Sequence, residues 1–442
     1  MGLAISVFGL GYVGSVTAAC FAHMGHRVMG VDVNPLKVEM LESGRSPIVE
    51  AQMNEMVAET NRACRLHATA DAASAVCNSE ISFVCVGTPS LANGRLDLSH
   101  IERVTREIGA ALRGKRTHHW VVVRSTLLPG TTESVVVPLL EECSGRRAGA
   151  DFSVCYNPEF MREGSAVSDF LHPAHTILGS KDPACLVPLR QLYQETSAPL
   201  FETSIPVAEM VKYVSNSFHA LKVSFANEIG TLCKQMGVDT QAVTNIFASD
   251  TRLNISPAYL TPGFAFGGSC LPKDLRALAY KAKQLDLGLP LLSSILPSNL
   301  EHIQRAVDMV LATGKKKISL LGLSFKSGTD DLRESPQVLL IKRLLGEGCQ
   351  VQVWDQDVTL GRLAGANRQY IEEVIPHIGS LLSADLAQVV SEAQVVIIGT
   401  KSARSEDLAC YLLPNQTVID LVNLDASRRP SAPAFYEGIC WS

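Results

Sequence analysis

The sequence predicts an α/β protein in which two doubly wound domains are joined by a long central helix within an all-helical middle domain. Short apolar segments alternate with helical segments towards both ends of the chain, a pattern typical of parallel sheets with crossover helices. Residues 205–236 carry a single proline, near their start, so they can form one long helix. A chain of 442 residues is too long for one compact core. We therefore predict domains at 1–203, 204–300 and 301–442.

The composition is that of a soluble globular protein, with 46% apolar and 19% charged residues. A formal net charge of −5 argues against nucleic acid or an anionic membrane as the main partner. No apolar run approaches the length of about 20 residues that a membrane-spanning helix needs, and no signal-peptide pattern precedes the first strand. The twelve cysteines are scattered, without CxxC or zinc-ligand spacing. We therefore expect a cytoplasmic protein with no metal site and no disulfide framework.

The first strand, AISVF, leads directly into the glycine turn GLGYVG and then into a helix and a second strand. Gly9, Gly11 and Gly14 permit a tight turn, the approach of a pyrophosphate and close packing of the helix on the strand. The helix N-terminus supplies amide donors to phosphate groups. Asp32, at the end of the second strand, can accept a hydrogen bond from a ribose 2′-hydroxyl and would repel a 2′-phosphate. The sequence therefore predicts a Rossmann-like domain that binds NAD rather than NADP.

Three later strands of this domain end in small polar or acidic residues. Ligands bind at the carboxyl ends of strands in open α/β sheets, although ordinary turn chemistry accounts equally well for any single one of these residues. The strands are ISFVCVGTPS, WVVVRSTLLPGTT and FSVCYNPEFMREG, and their candidate residues include Thr88, Thr126, Glu159 and Glu163.

The C-terminal part repeats this plan, since GHRVMGVD aligns with GCQVQVWD without a gap. The glycine triplet is missing there, and Gly322 stands in GLSFK. We therefore predict a second Rossmann-like domain that binds something other than NAD. Lys326 and Arg333 suit phosphate groups, and the alternative is that both are simply solvated.

The predicted central helix has two different faces. At 100° per residue, Lys212, Asn216, His219 and Asn227 fall within an arc of about 80°. One cation, two amides and an imidazole suit sugar hydroxyls and phosphate, whereas the alternative is an exposed polar stripe. An apolar stripe on the opposite side comprises Val207, Met210, Val214, Phe218, Leu221 and Phe225. A helix of this length also has a flank for a second subunit, so we predict a homodimer or a higher homo-oligomer.

The segment GFAFGGSCLPKD places Cys270 after two glycines and just before a predicted helix. A helix N-terminus and the nearby Lys273 both lower the pKa of a thiol and favour the nucleophilic thiolate. The alternative is a buried cysteine that fills space as a small apolar side chain.

The chain resembles the nucleotide-sugar 6-dehydrogenases, a family that includes UDP-glucose and GDP-mannose dehydrogenases. Seven motifs in this order carry the resemblance over essentially the whole chain: GLGYVG, VGTPS, STLLPGTT, NPEFMREG, FANEIG, GFAFGGSCLPKD and GLSFKSGTDDLRESP. The resemblance implies oxidation of a sugar C6 alcohol to a carboxylate with two NAD per turnover. It also implies that Cys270 forms a thiohemiacetal and then a thioester.

The resemblance further assigns roles to individual residues. Lys212 and Asp274 match residues that stabilise charge and transfer protons, and Asn216 belongs to the same catalytic group. Glu159 matches a residue that activates water, and burial would have to raise its pKa for it to act as a base near neutrality. The implied NAD contacts are Gly9, Gly11, Tyr12, Val13, Gly14, Asp32, Lys37, Thr88, Thr126, Lys273 and Arg333. The implied sugar-nucleotide contacts are Glu163, Lys212, Asn216, His219, Asn227, Tyr259, Phe264 and Lys326.

Within the family, NSFHALKVSFANEIG and the C-terminal EGICW are most similar to the branch that oxidises GDP-mannose for alginate synthesis. Two positions depart from that branch, which has a tyrosine where Ala258 stands and an arginine where Thr261 stands. An arginine offers a bidentate phosphate contact that threonine lacks. UDP-glucose therefore remains the alternative substrate. A two-electron hydroxyacid dehydrogenase, which needs no thiol, and a non-catalytic module that senses NAD also stay open.

Overall fold

The computed structural model describes residues 2–252, 256, 258–358, 363, 365–402, 408, 410–424 and 435–441. It confirms the predicted α/β class, with two parallel-type sheets and a helical middle region. The chain forms two compact units, Met1–Ser215 with Arg276–Lys281, and Asn216–Leu275 with Ala282–Ser442. The three-domain division at 1–203, 204–300 and 301–442 stays a prediction.

The sheet of the first unit has eight strands in the order β3-β2-β1-β4-β5-β6-β7-β8. Its strands pair in parallel except for β6 with β7. The strand order reverses between β1 and β4, and doubly wound sheets bind ligands at the carboxyl edge of such a point. The strands are β1 Ala4–Phe8, β2 Arg27–Val31, β3 Leu66–Thr69, β4 Ile81–Val84, β5 His119–Val123, β6 Phe152–Tyr156, β7 Thr176–Ser180 and β8 Leu200–Thr203.

Helices connect these strands, and every residue of β1 and β4 is buried. Continuous apolar runs of this kind are typical of parallel strands with both faces covered. The helices are α1 Tyr12–His23, α2 Pro35–Glu42, α3 Met53–Arg62, α4 Ala72–Cys77, α5 Ser99–Leu112, α6 Val137–Ser144, α7 Ala166–Leu171 and α8 Val187–Leu192. A π-helical turn at Thr132–Val136 precedes α6, and a 3₁₀ turn at Pro183–Leu186 precedes α8.

The middle region confirms the predicted long helix. It contains α9 Ile205–Met236, α10 Thr240–Ser249, α11 Leu271–Gln284 and α12 Pro290–Ala312. Pro206 is the second residue of α9, where a missing amide proton costs little because the first turn has no intrahelical acceptor for it.

The sheet of the second unit has five parallel strands in the order β10-β9-β11-β12-β13, which confirms a second Rossmann-like fold. The strands are β9 Lys317–Leu321, β10 Gln350–Trp354, β11 Val395–Ile398, β12 Thr417–Asp420 and β13 Phe435–Gly438. The helices are α13 Pro336–Gly346, α14 Gly365–Val374, α15 Ile378–Leu381 and α16 Leu386–Ser391. Throughout the described ranges, no helix combines the length and apolar character that crossing a membrane requires.

Candidate functional site

The glycine turn of the first unit has the shape that a dinucleotide pyrophosphate needs. Gly9 has a φ angle of +91°, a backbone conformation that residues other than glycine rarely adopt. A Cβ atom at Gly14 would lie 1.8 Å from the carbonyl oxygen of Gly9, so only glycine lets α1 pack this closely. A Cβ atom at Gly11 would meet no atom within 4 Å, so this position opens onto space in front of the helix N-terminus. The turn therefore fits the phosphate groups of NAD.

Asp32 lies at the end of β2 and holds this turn through its carboxylate. Its Oδ2 accepts a hydrogen bond of 2.7 Å from the amide of Leu10, and its Oδ1 accepts one of 2.9 Å from Asn34. The ammonium group of Lys37 lies 3.7 Å from Oδ2. The contact of Asp32 with a ribose and the contact of Lys37 with NAD stay predictions.

Neighbouring strands bring other predicted NAD residues together. The hydroxyl of Thr88, after β4, donates a hydrogen bond of 2.9 Å to the carbonyl oxygen of Thr126, after β5. The phenolic oxygen of Tyr12 accepts a bond of 2.9 Å from the amide of Gly164, and Val13 packs against the core beneath the turn. Glu163, one residue before Gly164, is half-buried in the loop that leads to α7.

Glu159 and Lys212 form a buried ion pair, with 2.8 Å between Oε1 and Nζ and exposed fractions of 7% and 4%. The condition for Glu159 to act as a base near neutrality, a raised pKa, is not met in this structure. Burial raises the pKa of the carboxyl, but the charge and hydrogen bond of Lys212, with help from Arg124 and the amide of Met161, lower it below its ordinary value. The carboxylate is therefore held ionised by its partner.

Arg124 is a residue of this site that the sequence reasoning missed. It follows β5, is buried, and donates hydrogen bonds to Asn157 Oδ1 and to the phenolic oxygen of Tyr193, the latter at 3.2 Å. Asn157 donates in turn to the carbonyl oxygen of Ile177 at 2.9 Å, which ties the end of β6 to β7. The available signal was an arginine that directly follows the buried apolar strand HWVVV, since buried cations are rare without a function or a partner.

The second unit places Cys270 directly before the first residue of α11, as predicted, and the residue is exposed. The alternative of a buried apolar filler is wrong for this cysteine. Its carbonyl oxygen accepts a bond of 3.0 Å from the amide of Asp274, which closes the first helical turn. Ser269 Oγ lies 3.8 Å from the sulfur. Amides at a helix N-terminus favour the thiolate form of a cysteine.

Asp274 is at the centre of a polar cluster one turn into α11. It is 1% exposed, and its two oxygens accept bonds of 2.6 Å from Asn216 Nδ2 and 2.6 Å from Lys273 Nζ. The structure thus brings together three residues that the sequence assigned to catalysis and NAD binding. Asn216 and Lys273 together fix the orientation of the carboxylate.

The predicted sugar-nucleotide residues of the second unit fall into separate groups. The rings of His219 and Tyr259 stack with 4.5 Å between centroids. The amide of Asn227 bonds the backbone of residues 263 and 264, so its observed partners are protein groups and its contact with substrate stays a prediction. Phe264 packs against the core of the second sheet.

Lys326 and Arg333 both lie in the segment between β9 and α13. Lys326 is exposed, and Arg333 pairs with Asp331 at 2.6 Å. The described residues contain no cluster of three or more His, Cys, Asp or Glu side chains that could hold a metal ion. The cysteines, all of which lie in the described ranges, form no disulfide bond.

A glycine turn shaped for a dinucleotide, in a Rossmann-like sheet, defines a class, the NAD-dependent dehydrogenases. Comparison with known proteins identifies the family. The chain matches the UDP-glucose/GDP-mannose dehydrogenase family in its NAD binding domain over residues 3–197, its central domain over 206–301 and its UDP binding domain over 319–425. The chain therefore belongs to this family and is an NAD-dependent nucleotide-sugar dehydrogenase.

Individual relatives agree with this assignment. The chain is 48% identical to a GDP-mannose 6-dehydrogenase of Pseudomonas syringae pv. syringae, over 99% of this chain and 100% of that protein. A UDP-glucose dehydrogenase structure from Pyrobaculum islandicum matches with a TM-score of 0.90 and 35% identity, covering 100% of this chain and 98% of the other. A GDP-mannose dehydrogenase structure from Pseudomonas aeruginosa matches with a TM-score of 0.57 and 47% identity, covering 99% and 100%.

Proposed function

We propose that this chain oxidises GDP-mannose to GDP-mannuronate, consumes two NAD per sugar, and uses Cys270 as a covalent nucleophile. The proposed cysteine chemistry is supported by the exposure of Cys270 directly before α11. One helical turn further on lies the buried Asp274, which is hydrogen-bonded to Asn216 and Lys273. The observation that carries the substrate is 48% identity over nearly the full length to enzymes named for GDP-mannose.

A four-electron oxidation needs the thiol for a chemical reason. The first hydride would leave C6 for NAD while the hydroxyl proton passes to a base, which gives an aldehyde. An aldehyde carbon is trigonal, so the Cys270 thiolate adds to it and the resulting thiohemiacetal is tetrahedral again. Loss of the second hydride, for which a second NAD would be the acceptor, leaves a thioester. Water then displaces the sulfur, which yields the carboxylate and returns the thiolate.

The ion pair of Lys212 and Glu159 supports a linked role for both residues. While Lys212 is charged and in contact, it lowers the pKa of Glu159 and makes the carboxylate a weak base. If Lys212 turns to an oxyanion at C6 or gives up its proton, Glu159 loses its main counter-charge and its pKa rises, because burial is then opposed only by Arg124 and the amide of Met161. Glu159 would then be a stronger base for the hydrolytic water. Asn216 follows Lys212 by one turn of α9 and therefore lies on the same face.

The test is a substrate panel in which NADH and uronate are both counted. We expect two NADH per uronate with GDP-mannose and NAD, and little turnover with UDP-glucose. Turnover of UDP-glucose alone would overturn the choice of substrate. One NADH per sugar, with the aldehyde as product, would overturn the thioester route and favour a two-electron dehydrogenase.

UDP-glucose is the second candidate substrate because two observations favour it. The Pyrobaculum islandicum structure, named as a UDP-glucose dehydrogenase, matches with a TM-score of 0.90. Thr261 and Ala258 stand where the GDP-mannose branch resembled by the sequence has an arginine and a tyrosine. Restoring the arginine with Thr261→Arg should lower the KM for GDP-mannose if the proposed substrate is right. An unchanged or raised KM would favour UDP-glucose.

A homodimer is part of the proposal because the apolar stripe of α9 faces outwards. Five of its six members are exposed by between 40% and 54%, and an apolar patch of this kind marks an interaction surface. The five are Val207, Met210, Val214, Phe218 and Phe225. Val214→Glu should yield monomers in light scattering, whereas Leu300→Glu, an exposed leucine on α12, should leave the dimer intact. A cytoplasmic location and a role of the product in alginate synthesis belong to the same proposal.

A further inference from the structure

The backbone of residues 263–266, just upstream of Cys270, is held by side chains rather than by a neighbouring strand. Asn227 on α9 accepts a bond of 3.0 Å from the Gly263 amide and donates one of 3.4 Å to the Phe264 carbonyl. Two residues on α12 also bind this segment: Asn299 binds the amide and the carbonyl oxygen of Phe266, and His302 binds the carbonyl oxygen of Gly263. An irregular segment keeps its shape only where its backbone groups have partners of this kind.

Asn299 binds both backbone groups of a single residue. Its Oδ1 accepts a bond of 2.9 Å from the Phe266 amide, and its Nδ2 donates one of 2.9 Å to the Phe266 carbonyl. The side chain is only 6% exposed, so water does not compete for these bonds. Phe266 itself packs in a cluster with Ala220, Leu275 and Ile295. The peptide groups on either side of Phe266 are therefore fixed in position and orientation.

His302 holds the segment three residues earlier. Its Nε2 lies 2.8 Å from the carbonyl oxygen of Gly263, and because a carbonyl only accepts, this nitrogen carries the proton. The ring is 4% exposed. Burial lowers the pKa of His302, so the imidazole stays neutral while it donates this bond.

The chain between Phe266 and Cys270 transmits this position because it has little room to move. A Cβ atom at Gly267 would lie 2.4 Å from the carbonyl oxygen of Glu334, and one at Gly268 would lie 3.1 Å from the Phe325 ring. The two glycines thus pass directly against the segment after β9. We therefore expect a shift of the backbone at Phe266 to displace Cys270 as well.

We propose that Asn299 and His302 are positioning residues. They hold the backbone of residues 263–266 and thereby fix the position of the Cys270 thiol. This inference rests on the proposed role of Cys270 as the nucleophile. The hydrogen bonds that carry this role run from the two side chains to the backbone of Phe266 and Gly263. Their effect on the reaction is to fix where the thiol meets the aldehyde between the two oxidations.

The experiment compares four variants of the full chain. Asn299→Ala removes both bonds to Phe266, and His302→Phe keeps a ring but loses the donor. His302→Gln restores an NH donor at a similar reach. Ser298→Ala is the matched control, since Ser298 precedes Asn299 on α12 and its hydroxyl bonds Glu228 instead of the loop.

The first measurement needs no substrate. Iodoacetamide labels exposed cysteines, and mass spectrometry gives the labelling rate of Cys270 relative to Cys64, which is also exposed. A displaced thiol changes both its access and its contact with the helix amides. We expect Asn299→Ala and His302→Phe to change this ratio by about threefold or more, while His302→Gln and Ser298→Ala keep the wild-type ratio.

The second measurement follows turnover. A misplacement of about 1 Å costs on the order of 100-fold in rate, so we expect kcat to fall by about 10- to 100-fold in Asn299→Ala and His302→Phe with KM nearly unchanged. NADH per uronate should rise above two as uncaptured aldehyde escapes, and semicarbazide should trap it. A loss of folded protein alone would leave the ratio at two.

An unchanged labelling ratio in both Asn299→Ala and His302→Phe would overturn the inference, as would an equal change in Ser298→Ala. If Asn299→Ala does not fold, the His302 pair decides, and equal behaviour of His302→Phe and His302→Gln counts against it. A changed labelling ratio in an enzyme that makes no uronate from either sugar nucleotide would uphold the positioning and reject the proposed function.

Discussion

The two Rossmann-like units are alike at the aspartate after their second strand and different at the turn that this aspartate holds. In the first unit Gly9 has a φ angle of +91° and the amide of Leu10 bonds Asp32 at 2.7 Å. In the second, Gly322 has a φ angle of +98° and the amide of Leu323 bonds Asp355 at 2.6 Å. Both carboxylates also accept from the amide two residues further on.

The units differ in the length of chain between the turn and the next helix. In the first, α1 begins at Tyr12, directly after the turn, and its N-terminal amides face the open position at Gly11. In the second, α13 begins only at Pro336, and the segment between carries Lys326 and Arg333. The aspartate is therefore a structural clamp of the turn in both units. The short passage from strand to helix is the feature that distinguishes the dinucleotide site.

The largest expected effect is the loss of uronate formation when Cys270 of the second unit is replaced, with NAD binding by the first unit retained. Cys270→Ala should lower uronate formation by at least about 10⁴-fold, as removal of a covalent nucleophile does in other enzymes. NAD affinity, which belongs to the first unit, should stay within about twofold because the turn at Gly9 is untouched. Product analysis and NAD titration by calorimetry test both parts. Unimpaired uronate formation would reject the thioester route.

The turns after β1 and β9 can be disrupted separately by single substitutions. Gly14→Val places a side chain against the Gly9 carbonyl, 1.8 Å from the new Cβ, and should weaken NAD binding by more than about 100-fold. Gly322→Val places one 2.0 Å from the Thr400 hydroxyl and should weaken sugar-nucleotide binding instead. Fluorescence titrations of both ligands against both variants give the comparison. Loss of NAD affinity in Gly322→Val would contradict the assignment of NAD binding to the first unit and sugar-nucleotide binding to the second.

A milder pair of substitutions, at Asp32 and Asp355, tests whether these aspartates bind ligand or only hold the turns. Asp32→Asn and Asp355→Asn keep the size of the side chain but lose charge-assisted bonds to the turn amides, which contribute roughly 1.5–3 kcal/mol. We expect Asp32→Asn to weaken NAD binding by about 10-fold or more, and Asp355→Asn to lower thermal stability with NAD affinity unchanged. If both variants behave alike towards NAD, Asp32 acts only as a clamp of the turn.

The effect that is smallest at neutral pH is an acid sensitivity of the first unit. Burial, with the charge of Lys115, lowers the pKa of His119 to about 3. The unfolded chain takes up this proton below about pH 6.5, so stability is full above that pH and falls by about 1.4 kcal/mol per pH unit towards pH 3. Denaturant melts from pH 7 to pH 4 should show a shallower loss in His119→Gln than in the wild type. Parallel pH profiles would mean that the buried ring does not control the loss.

Much of the fold can be predicted from short-range pattern. The alternation of strands and helices at both ends of the chain, the glycine turn, the continuous α9 and the place of Cys270 before α11 were predicted, because each depends on residues adjacent in sequence, whereas β3, β7, β8 and β13 were not predicted. The lowered pKa of Glu159 was not predicted, since it results from Lys212, 53 residues away. Arg124 was missed because nothing in its neighbours reveals that it lies beside Asn157 and Tyr193.

The sequence by itself determined the two Rossmann-like folds and the presence of a cysteine at a helix start, because periodicity, glycine spacing and helix-start chemistry are local properties. The family was indicated by the resemblance of its motifs to those of known proteins. The tertiary structure decided that the polar face of α9 is the buried one and its apolar stripe the exposed one. It also decided that Asn299 and His302 hold the segment ahead of Cys270. These outcomes depend on how residues far apart in sequence pack against one another and exclude water. Local sequence patterns contain no information on that packing.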